Sequence, residues 1–357
     1  MSKGRDDFSE DERVFRASFQ RYGPTSSVTR LDEDGVREIL FGYIDRRDIN
    51  AIASLQAGVE LIGIFSGLPN YLSRYFDILL SDPDAFVEIG DPSKEAIDQH
   101  DVERPPKCEV RSRAAQALSL CAQFFVLFHE MGHIKLCHLH LVRDEFAAEY
   151  YEELPLIAIS EKEARIRRCL EVQADHLAAF TSLNWWRMKW RDNPLEVHAD
   201  LSLNPDLLWS IAVISLFLIF DHLRADKAKD RTSTHPTPYQ RLIMLTMYAS
   251  SEEAAKLAHI EPLAKSAHPL LVWGSLSEWW GRRKYLSDNP QAKVEEAARD
   301  LVNLMLDDEY MDMLANYQKR RGYQFWSKGD TSRFNPFLNR EDLNAISSEI
   351  QKFRGNV

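Results

Sequence analysis

The feature that most constrains the fold of this chain is a long, mostly apolar segment at residues 114–140. Its spacing predicts an α-helix, and it contains the run FFVLFHEMGHIKLCH, in which His129, Glu130 and His133 form the pattern H-E-x-x-H. Residues four apart on a helix lie about 40° apart around its axis, so both imidazoles point to one side. The segment therefore predicts a buried helix that presents two histidines to a metal ion.

The glutamate of the motif, Glu130, is predicted to take part in catalysis rather than to bind the metal. Glu130 lies at the edge of the same helix face, where it can reach a metal-bound water without being a ligand itself. Apolar residues precede the motif and would bury the site. The alternative is a pair of ordinary core histidines, because matches to a five-residue pattern also arise by chance.

Two histidines are too few for a catalytic zinc site, which usually has three protein ligands and leaves the fourth position to water. The extended motif H-E-x-x-H-x-x-G-x-x-H fails here, because Leu136 and Leu139 stand where it needs glycine and histidine. His138 and His140 flank the required position on the wrong helical phase. We expect them to be helix-end or surface residues.

A second helix, predicted over residues 161–183, offers the missing ligand. It places Glu171 and Asp175 on one face of IRRCLEVQADHLAAF. Burying two carboxylates is costly unless each has a partner. Zinc would partner Glu171, while the ring N–H of a zinc-bound histidine would partner Asp175 and so fix that histidine's tautomer. The small Ala174 and Ala178 would let the two helices approach closely. The alternative is a solvated acidic face.

Three separated motifs together resemble a metallopeptidase family. H-E-x-x-H followed by E-x-x-A-D is similar to the gluzincin signature, and HEMGHIKLCH resembles the CAAX-prenyl-protease and HtpX family, whose helix often continues to a histidine where His138 stands. That family also has a late Thr-His-Pro segment followed by an arginine, and residues 233–242 read STHPTPYQRL. The resemblance covers about residues 110–250. It implies a mainly α, zincin-like α+β fold: a helical metallopeptidase core with a small sheet and a helical C-terminal extension.

The chain departs from that family in its relation to the membrane. Prenyl-protease relatives span the membrane several times, whereas the apolar run at 207–220 is 14 residues long, short of the ~20 that cross a bilayer. It predicts a buried core helix, with membrane-surface contact as the alternative. We therefore expect a soluble relative with no transmembrane segment. E-x-x-A-D also resembles the soluble ImmA/IrrE repressor-cleaving proteases, and phage-exclusion or other intracellular defence peptidases are a further possibility.

The motifs together predict a soluble zinc-dependent endopeptidase that hydrolyses an intracellular protein or peptide. His129, His133 and Glu171 would bind Zn²⁺, Asp175 would hold a histidine ligand, and Glu130 would be the general base for a metal-activated water. One alternative is a non-catalytic zinc protein that binds or regulates a partner. Another is a helical binding protein whose motifs are accidental.

The oxyanion formed in peptide hydrolysis needs a hydrogen-bond donor besides the metal. His235 is the first candidate, because it lies in the Thr-His-Pro segment. Tyr239 and Arg241 are weaker candidates. His235 is otherwise an ordinary turn histidine before proline, and Arg241 fits equally well as a structural partner of a carboxylate.

Composition narrows the class of partner. The chain has 357 residues, and 44 Lys+Arg against 55 Asp+Glu give a net charge of -11, which argues against nucleic acid. Four cysteines without paired spacing predict buried thiols. The charged, polar first residues predict no secretory signal, so we expect a cytoplasmic location. Substrate identity and oligomeric state stay open.

The pattern along the chain predicts three divisions: a mobile lead-in at residues 1–30, a zincin-like metallopeptidase domain at 31–260 and a helical C-terminal region at 261–357. Helix is predicted over 32–80, from 207 and from about 239, with a short strand at 85–90. The C-terminal Trp279-Trp280 pair would shape a substrate-recognition surface or belong to the core.

Overall fold

The computed structural model describes a mainly helical protein with a small sheet, as predicted. The described residues are 30–32, 35–37, 39–56, 59–95, 104–146, 150–152, 160–192, 204–223, 235–250 and 269–282. Among them the helices are α1 (Gly67–Ser81), α2 (Glu109–Lys135), α3 (His138–Phe146), α4 (Glu161–Asp192), α5 (Pro205–Leu223), α6 (Pro238–Ser250) and α7 (Pro269–Arg282). The strands are β1 (Arg30–Asp32), β2 (Gly35–Arg37), β3 (Ile39–Ile44), β4 (Ala51–Gln56), β5 (Val59–Phe65) and β6 (Tyr150–Glu152).

A sheet occupies most of the region where the apolar spacing predicted a helix over residues 32–80. Its strand order is β3-β5-β4-β6; β3 and β5 are parallel, and the other pairs are antiparallel. β1 and β2 form a separate antiparallel pair. Within residues 32–80 the helical prediction is wrong for the strands and right only for α1. Ile39 and Tyr43 fit a helical period, but the strands are rich in β-branched and aromatic residues, and long-range pairing decides between the two structures.

The strand predicted at residues 85–90 is also wrong, because this segment is an irregular loop held by one buried side chain. Arg111 of α2 donates five hydrogen bonds to backbone carbonyls at the end of α1 and in the loop, those of Leu80, Asp82, Ala85, Phe86 and Ile89. The loop includes Phe86 and Gly90 with φ of 46° and 66°. Strand pairing cannot satisfy carbonyls that converge in this way, so a cation at their centre replaces it.

Helix α2 is the centre of the core and lies against α1, α4, α5 and the sheet. The single helix predicted over 114–140 begins five residues earlier and is interrupted after Lys135. Cys137 has a φ of 61°, and α3 starts at the next residue. The left-handed backbone at Cys137 ends the helix and redirects the chain.

The other long helices complete the core around α2. α4 extends beyond the predicted end at residue 183, and the apolar run at 207–220 lies in α5 with all its residues buried, as predicted. Among the described helices α2 has the length and hydropathy to cross a membrane, and its apolar window is wholly buried inside the protein. A core helix passes the same test, so these properties are weak grounds for a membrane span.

Helix α7 contacts α5 and α6 and reaches the end of α1. Trp279 donates its indole N–H to Asp82 and Trp280 donates to the Tyr75 hydroxyl, at 3.0 and 2.9 Å. Both indoles are buried, which favours the core alternative for this pair. The three predicted divisions stay a prediction, and residues 1–29 and 283–357 lie outside the described residues.

Candidate metal centre

The two histidines of the H-E-x-x-H pattern face each other on α2. Their Nε2 atoms are 3.0 Å apart, and both side chains are buried. The rings meet edge to face, with centroids 4.7 Å apart. Two imidazole nitrogens directed at one point inside a core are the arrangement that a cation stabilises.

Glu171 of α4 lies against both histidines. Its Oε2 is 3.2 Å from His129 Nε2 and its Oε1 is 3.4 Å from His133 Nε2. The carboxylate is fully buried, which excludes the solvated acidic face. Ligand atoms of the three residues all lie within 4.8 Å of one another. They form a buried His-His-Glu group, called here the metal group.

The close approach of α2 and α4 depends on a glycine between the two histidines. A Cβ added to Gly132 would lie 3.1 Å from the Ala174 Cα and 3.3 Å from its Cβ and carbonyl oxygen. Contacts of 3.0–3.4 Å are tighter than nine in ten that real Cβ atoms make, so a side chain here would require the Ala174 backbone to move by a few tenths of an ångström. Small residues on both helices bring Glu171 within reach of the histidines, and Ala174 has the role that its size predicted.

The donor set fits a metal ion. Two imidazoles and one carboxylate are a ligand set that catalytic zinc sites use, and tetrahedral coordination separates zinc-bound donor atoms by roughly 3.3 Å. The three separations here, 3.0, 3.2 and 3.4 Å, match that spacing. The metal group can therefore hold a metal ion.

Asp175 lies one turn beyond Glu171 and holds the first histidine from behind. Its Oδ1 is 2.9 Å from His129 Nδ1, the ring nitrogen opposite the metal group. Arg241 of α6 donates to the same carboxylate from Nε and Nη2, at 2.7 and 2.6 Å, and its guanidinium stacks over the Phe217 ring at 4.4 Å. Of the two roles left open for Arg241, this position fits the structural pairing with a carboxylate.

The Thr-His-Pro segment enters the site at the start of α6. Thr237 accepts a hydrogen bond from the Gln240 backbone, while the Gln240 side chain accepts one from the Thr237 backbone, a reciprocal capping box. Pro238 occupies the first helical position, where its missing N–H costs nothing. This cap fixes the positions of His235 before the helix and Arg241 one turn into it.

His235 meets the same Glu171 oxygen, Oε2, that lies against His129. It is buried, and its Nε2 is 3.2 Å from Glu171 Oε2. Tyr239 is buried with its ring edge against Trp273, at a centroid distance of 5.9 Å. The structure therefore brings His235 to the metal group.

Glu130 is buried on α2 immediately after His129. At 100° per residue, it lies about 60° around the helix axis from His133. On a regular helix this puts Glu130 beside the face that carries the two histidines.

Two residues of the site were missed by the sequence interpretation. His138, expected at a helix end or the surface, is the first residue of α3 but is wholly buried, with its Nδ1 3.0 Å from His133 Nδ1. Its Nε2 is 3.0 Å from Oε1 of Gln173 on α4. Burial lowers the pKa of His138 to about 3, against the opposing effect of the Gln173 hydrogen bond. The available signal was the histidine that the resembled family often has where His138 stands.

His140 is likewise buried rather than exposed. Its Nε2 lies 3.4 Å from Oε1 of Glu60 on β5, so it faces the sheet and not the metal group. The surface alternative is wrong for both histidines, because the turn at Cys137 folds α3 back onto the core.

Comparison with protein families decides the class. The model of the family described as Peptidase U49 matches residues 83–261, half of the chain. The chain belongs to the Peptidase U49 family. No curated protein and no solved structure matches it.

The Peptidase U49 region contains every residue of the metal group. It begins in the loop that Arg111 holds and ends beyond α6, so it also includes Asp175, His235 and Arg241. The protein is therefore a peptidase, and its substrates are proteins or peptides. The family membership and the buried His-His-Glu group together place the candidate active site at the junction of α2 and α4.

Proposed function

We propose that this Peptidase U49 member is a zinc-dependent endopeptidase of the gluzincin type, related to the CAAX-prenyl-protease and HtpX family. The observation that carries the proposal is the metal group, in which two helix-borne imidazoles and a buried carboxylate meet with their donor atoms 3.0–3.4 Å apart. Zinc is the metal that most often takes this donor set in peptidases. We also propose a soluble, cytoplasmic protein, supported by four free cysteines, which suit a reducing compartment.

The chain's own residues supply the acid–base chemistry. When bound to His129, His133 and Glu171, the zinc ion would act as a Lewis acid that makes water acidic at neutral pH. Glu130 would accept a proton from the attacking water and later deliver it to the departing amine. Asp175 would keep His129 in the tautomer whose Nε2 is free to bind metal.

His235 would stabilise the negative charge that develops on the substrate's carbonyl oxygen. Its Nε2 lies beside Glu171, so an N–H at this atom can be directed into the metal group. Removing one such donor in other hydrolases costs about 10²–10³ in kcat. We expect a loss of this size in His235→Ala, with zinc content unchanged.

Metal analysis tests the ligand assignment. Purified protein is expected to hold about one zinc ion per chain, and His133→Ala is expected to lose it because two donors bind zinc weakly. The matched control is His222→Ala, since His222 is an exposed histidine on α5. Full zinc occupancy in His133→Ala would contradict the assignment.

The general-base role has a separate test. Glu130→Gln removes the proton acceptor but keeps the shape, so it should bind zinc normally and lose about 10²–10⁴ in rate. Glu109→Gln, an exposed glutamate on the same helix, is the control. New protein termini should appear in cells that express the wild type or the control and be absent with Glu130→Gln. Identical termini in all three, with zinc bound, would favour a non-catalytic zinc protein.

A further inference from the structure

The two histidines of the metal group are held from behind in different ways. His129 Nδ1 meets the carboxylate of Asp175 directly. His133 Nδ1 instead meets another imidazole, that of His138, and His138 Nε2 meets the Gln173 amide oxygen. Both supports end on α4, but the second passes through one more residue.

The donor and acceptor of each hydrogen bond in this second support follow from the Gln173 amide oxygen at its end. The amide oxygen of Gln173 only accepts, so His138 Nε2 carries hydrogen and donates. A neutral His138 then has an acceptor at Nδ1, which receives a hydrogen bond from His133 Nδ1. His133 is thereby left with a lone pair at Nε2, the atom that faces the metal group.

Backbone geometry shows that His138 is brought to this position by the break in the helix. In a continuous α-helix, a residue five positions after His133 would lie about 140° away around the axis and face elsewhere. The left-handed turn at Cys137 ends α2 and returns the chain, so that the imidazoles lie edge to face at 5.1 Å. A non-glycine residue in this conformation is uncommon.

We propose that His138 and Gln173 are positioning residues that hold His133 in the tautomer able to bind metal through Nε2. This inference rests on the proposed metal site and adds a relay, Gln173–His138–His133, to the direct Asp175–His129 contact. Because His138 is fully buried and Gln173 nearly so, water cannot easily replace either partner. Loss of such outer contacts weakens metal binding by about 10–100-fold in other metalloproteins.

Zinc affinity measured by chelator competition tests the relay without any assay of activity. His138→Leu fills a similar volume but gives His133 no acceptor, so the dissociation constant for zinc should rise about 10–100-fold. His138→Asn keeps an oxygen near the position of Nδ1 and should restore most of the affinity. His140→Leu is the matched control, because His140 is buried on the same helix but faces Glu60.

Gln173 gives an independent test, since it touches the metal group only through His138. Gln173→Leu removes the acceptor for His138 Nε2–H and releases the ring to the other tautomer, which places two N–H groups face to face. Its zinc affinity should fall as in His138→Leu. Gln173→Glu retains an acceptor oxygen and should bind zinc as the wild type does.

A merely structural role gives a different result. If His138 only fills space, His138→Leu lowers the melting temperature of the zinc-free protein, while the zinc dissociation constant and the zinc-induced rise in melting temperature stay at wild-type values. That outcome would overturn the relay. Nitrogen-15 NMR of the zinc-bound wild type should show His133 protonated at Nδ1, and an unprotonated Nδ1 would also overturn it. A wild type that binds no zinc would instead refute the proposed metal site.

Discussion

Arg111 and Arg241 are both almost wholly buried, yet their guanidinium groups meet opposite kinds of acceptor. Arg111 donates to five neutral backbone carbonyls around the end of α1 and the following loop. Arg241 donates twice to one carboxylate, that of Asp175, and rests on an aromatic ring. One arginine organises a loop, and the other is bonded to the residue that supports a histidine of the metal group.

The different acceptors of the two arginines determine which parts of the protein depend on each charge. The carbonyls around Arg111 come from one short segment, so its contribution ends with the shape of that loop. Burial lowers the pKa of Arg111, and nearby carboxylates, Glu95 first, oppose the effect. The charge of Arg241 balances that of Asp175, whose remaining contact is His129. Damage at Arg241 should therefore reach metal binding, whereas damage at Arg111 should affect folding alone.

Arg111→Met is expected to have the largest effect. It removes a donor from each of the five carbonyls, but those of Asp82 and Phe86 keep the backbone N–H of Ala85 and Ile89. The other three carbonyls lose the Arg111 donor, and each orphaned group costs about 1–3 kcal/mol. A loss of roughly 5 kcal/mol or more is comparable to the whole stability of many domains. Denaturant unfolding of the purified variant, or its absence from the soluble fraction, measures this loss.

Arg113→Met is the control for this variant. Arg113 lies two residues further along α2 and pairs with the exposed Glu109. Surface pairs of this kind contribute little, so the free energy of unfolding should change by about 0.5 kcal/mol or less. Equal losses in the two variants would show that the five-carbonyl cluster has no special weight.

Arg241→Met should destabilise less and should also weaken metal binding. Removing one partner of a buried ion pair costs about 3–5 kcal/mol, because Asp175 keeps an uncompensated charge. Asp175 would then be free to turn away from His129, and zinc affinity should fall. Zinc titration of this variant beside any folded Arg111 variant separates the two arginines. Unchanged zinc affinity in Arg241→Met would break the distinction between them.

Asp175→Asn changes the same pair from the other side. The amide oxygen can still accept from His129 Nδ1–H but carries no charge, so zinc affinity should fall about 10–100-fold. In the double variant with Arg241→Met, no unpaired charge is left. The stability losses should then be less than additive, with a coupling of about 0.5–3 kcal/mol. Strict additivity would mean that the two side chains do not act as a pair.

How far the sequence predicts this site depends on whether a contact follows from helical spacing. His129, His133, Glu171 and Asp175 lie four apart in pairs, and each pair keeps to one helix face, so all four could be identified. The partner of His133 could not, because it depends on a left-handed backbone at Cys137 that no local pattern announces. The sequence therefore predicts a helix end or the surface for His138, which begins α3 and is fully buried.

The fold likewise contains regions that local sequence predicts and regions that depend on long-range contacts. The helices α2, α4 and α5 were predicted because the length and composition of their segments are local features of the sequence. The family resemblance implied a small sheet, but the positions of its strands were not predicted. β3 pairs directly with β5 although β4 lies between them in the sequence, and the apolar spacing of these segments also fits a helix. The loop at residues 85–90 depends on one arginine more than twenty positions away. Long-range contacts, rather than local propensity, decide these regions.

The smallest effect is expected when lysine replaces each arginine, and it sharpens the comparison most directly. Lysine keeps the charge but has three donors at one point instead of a planar fork. At position 241 it can still pair with Asp175, so Arg241→Lys should lose about 1 kcal/mol and retain most zinc affinity. At position 111 it cannot reach five separate carbonyls, and Arg111→Lys should lose clearly more. Denaturant unfolding of the two variants measures the difference. A larger loss of stability in Arg241→Lys than in Arg111→Lys would contradict this expectation. It would mean that the planar guanidinium is needed more at the carboxylate of Asp175 than at the five carbonyls.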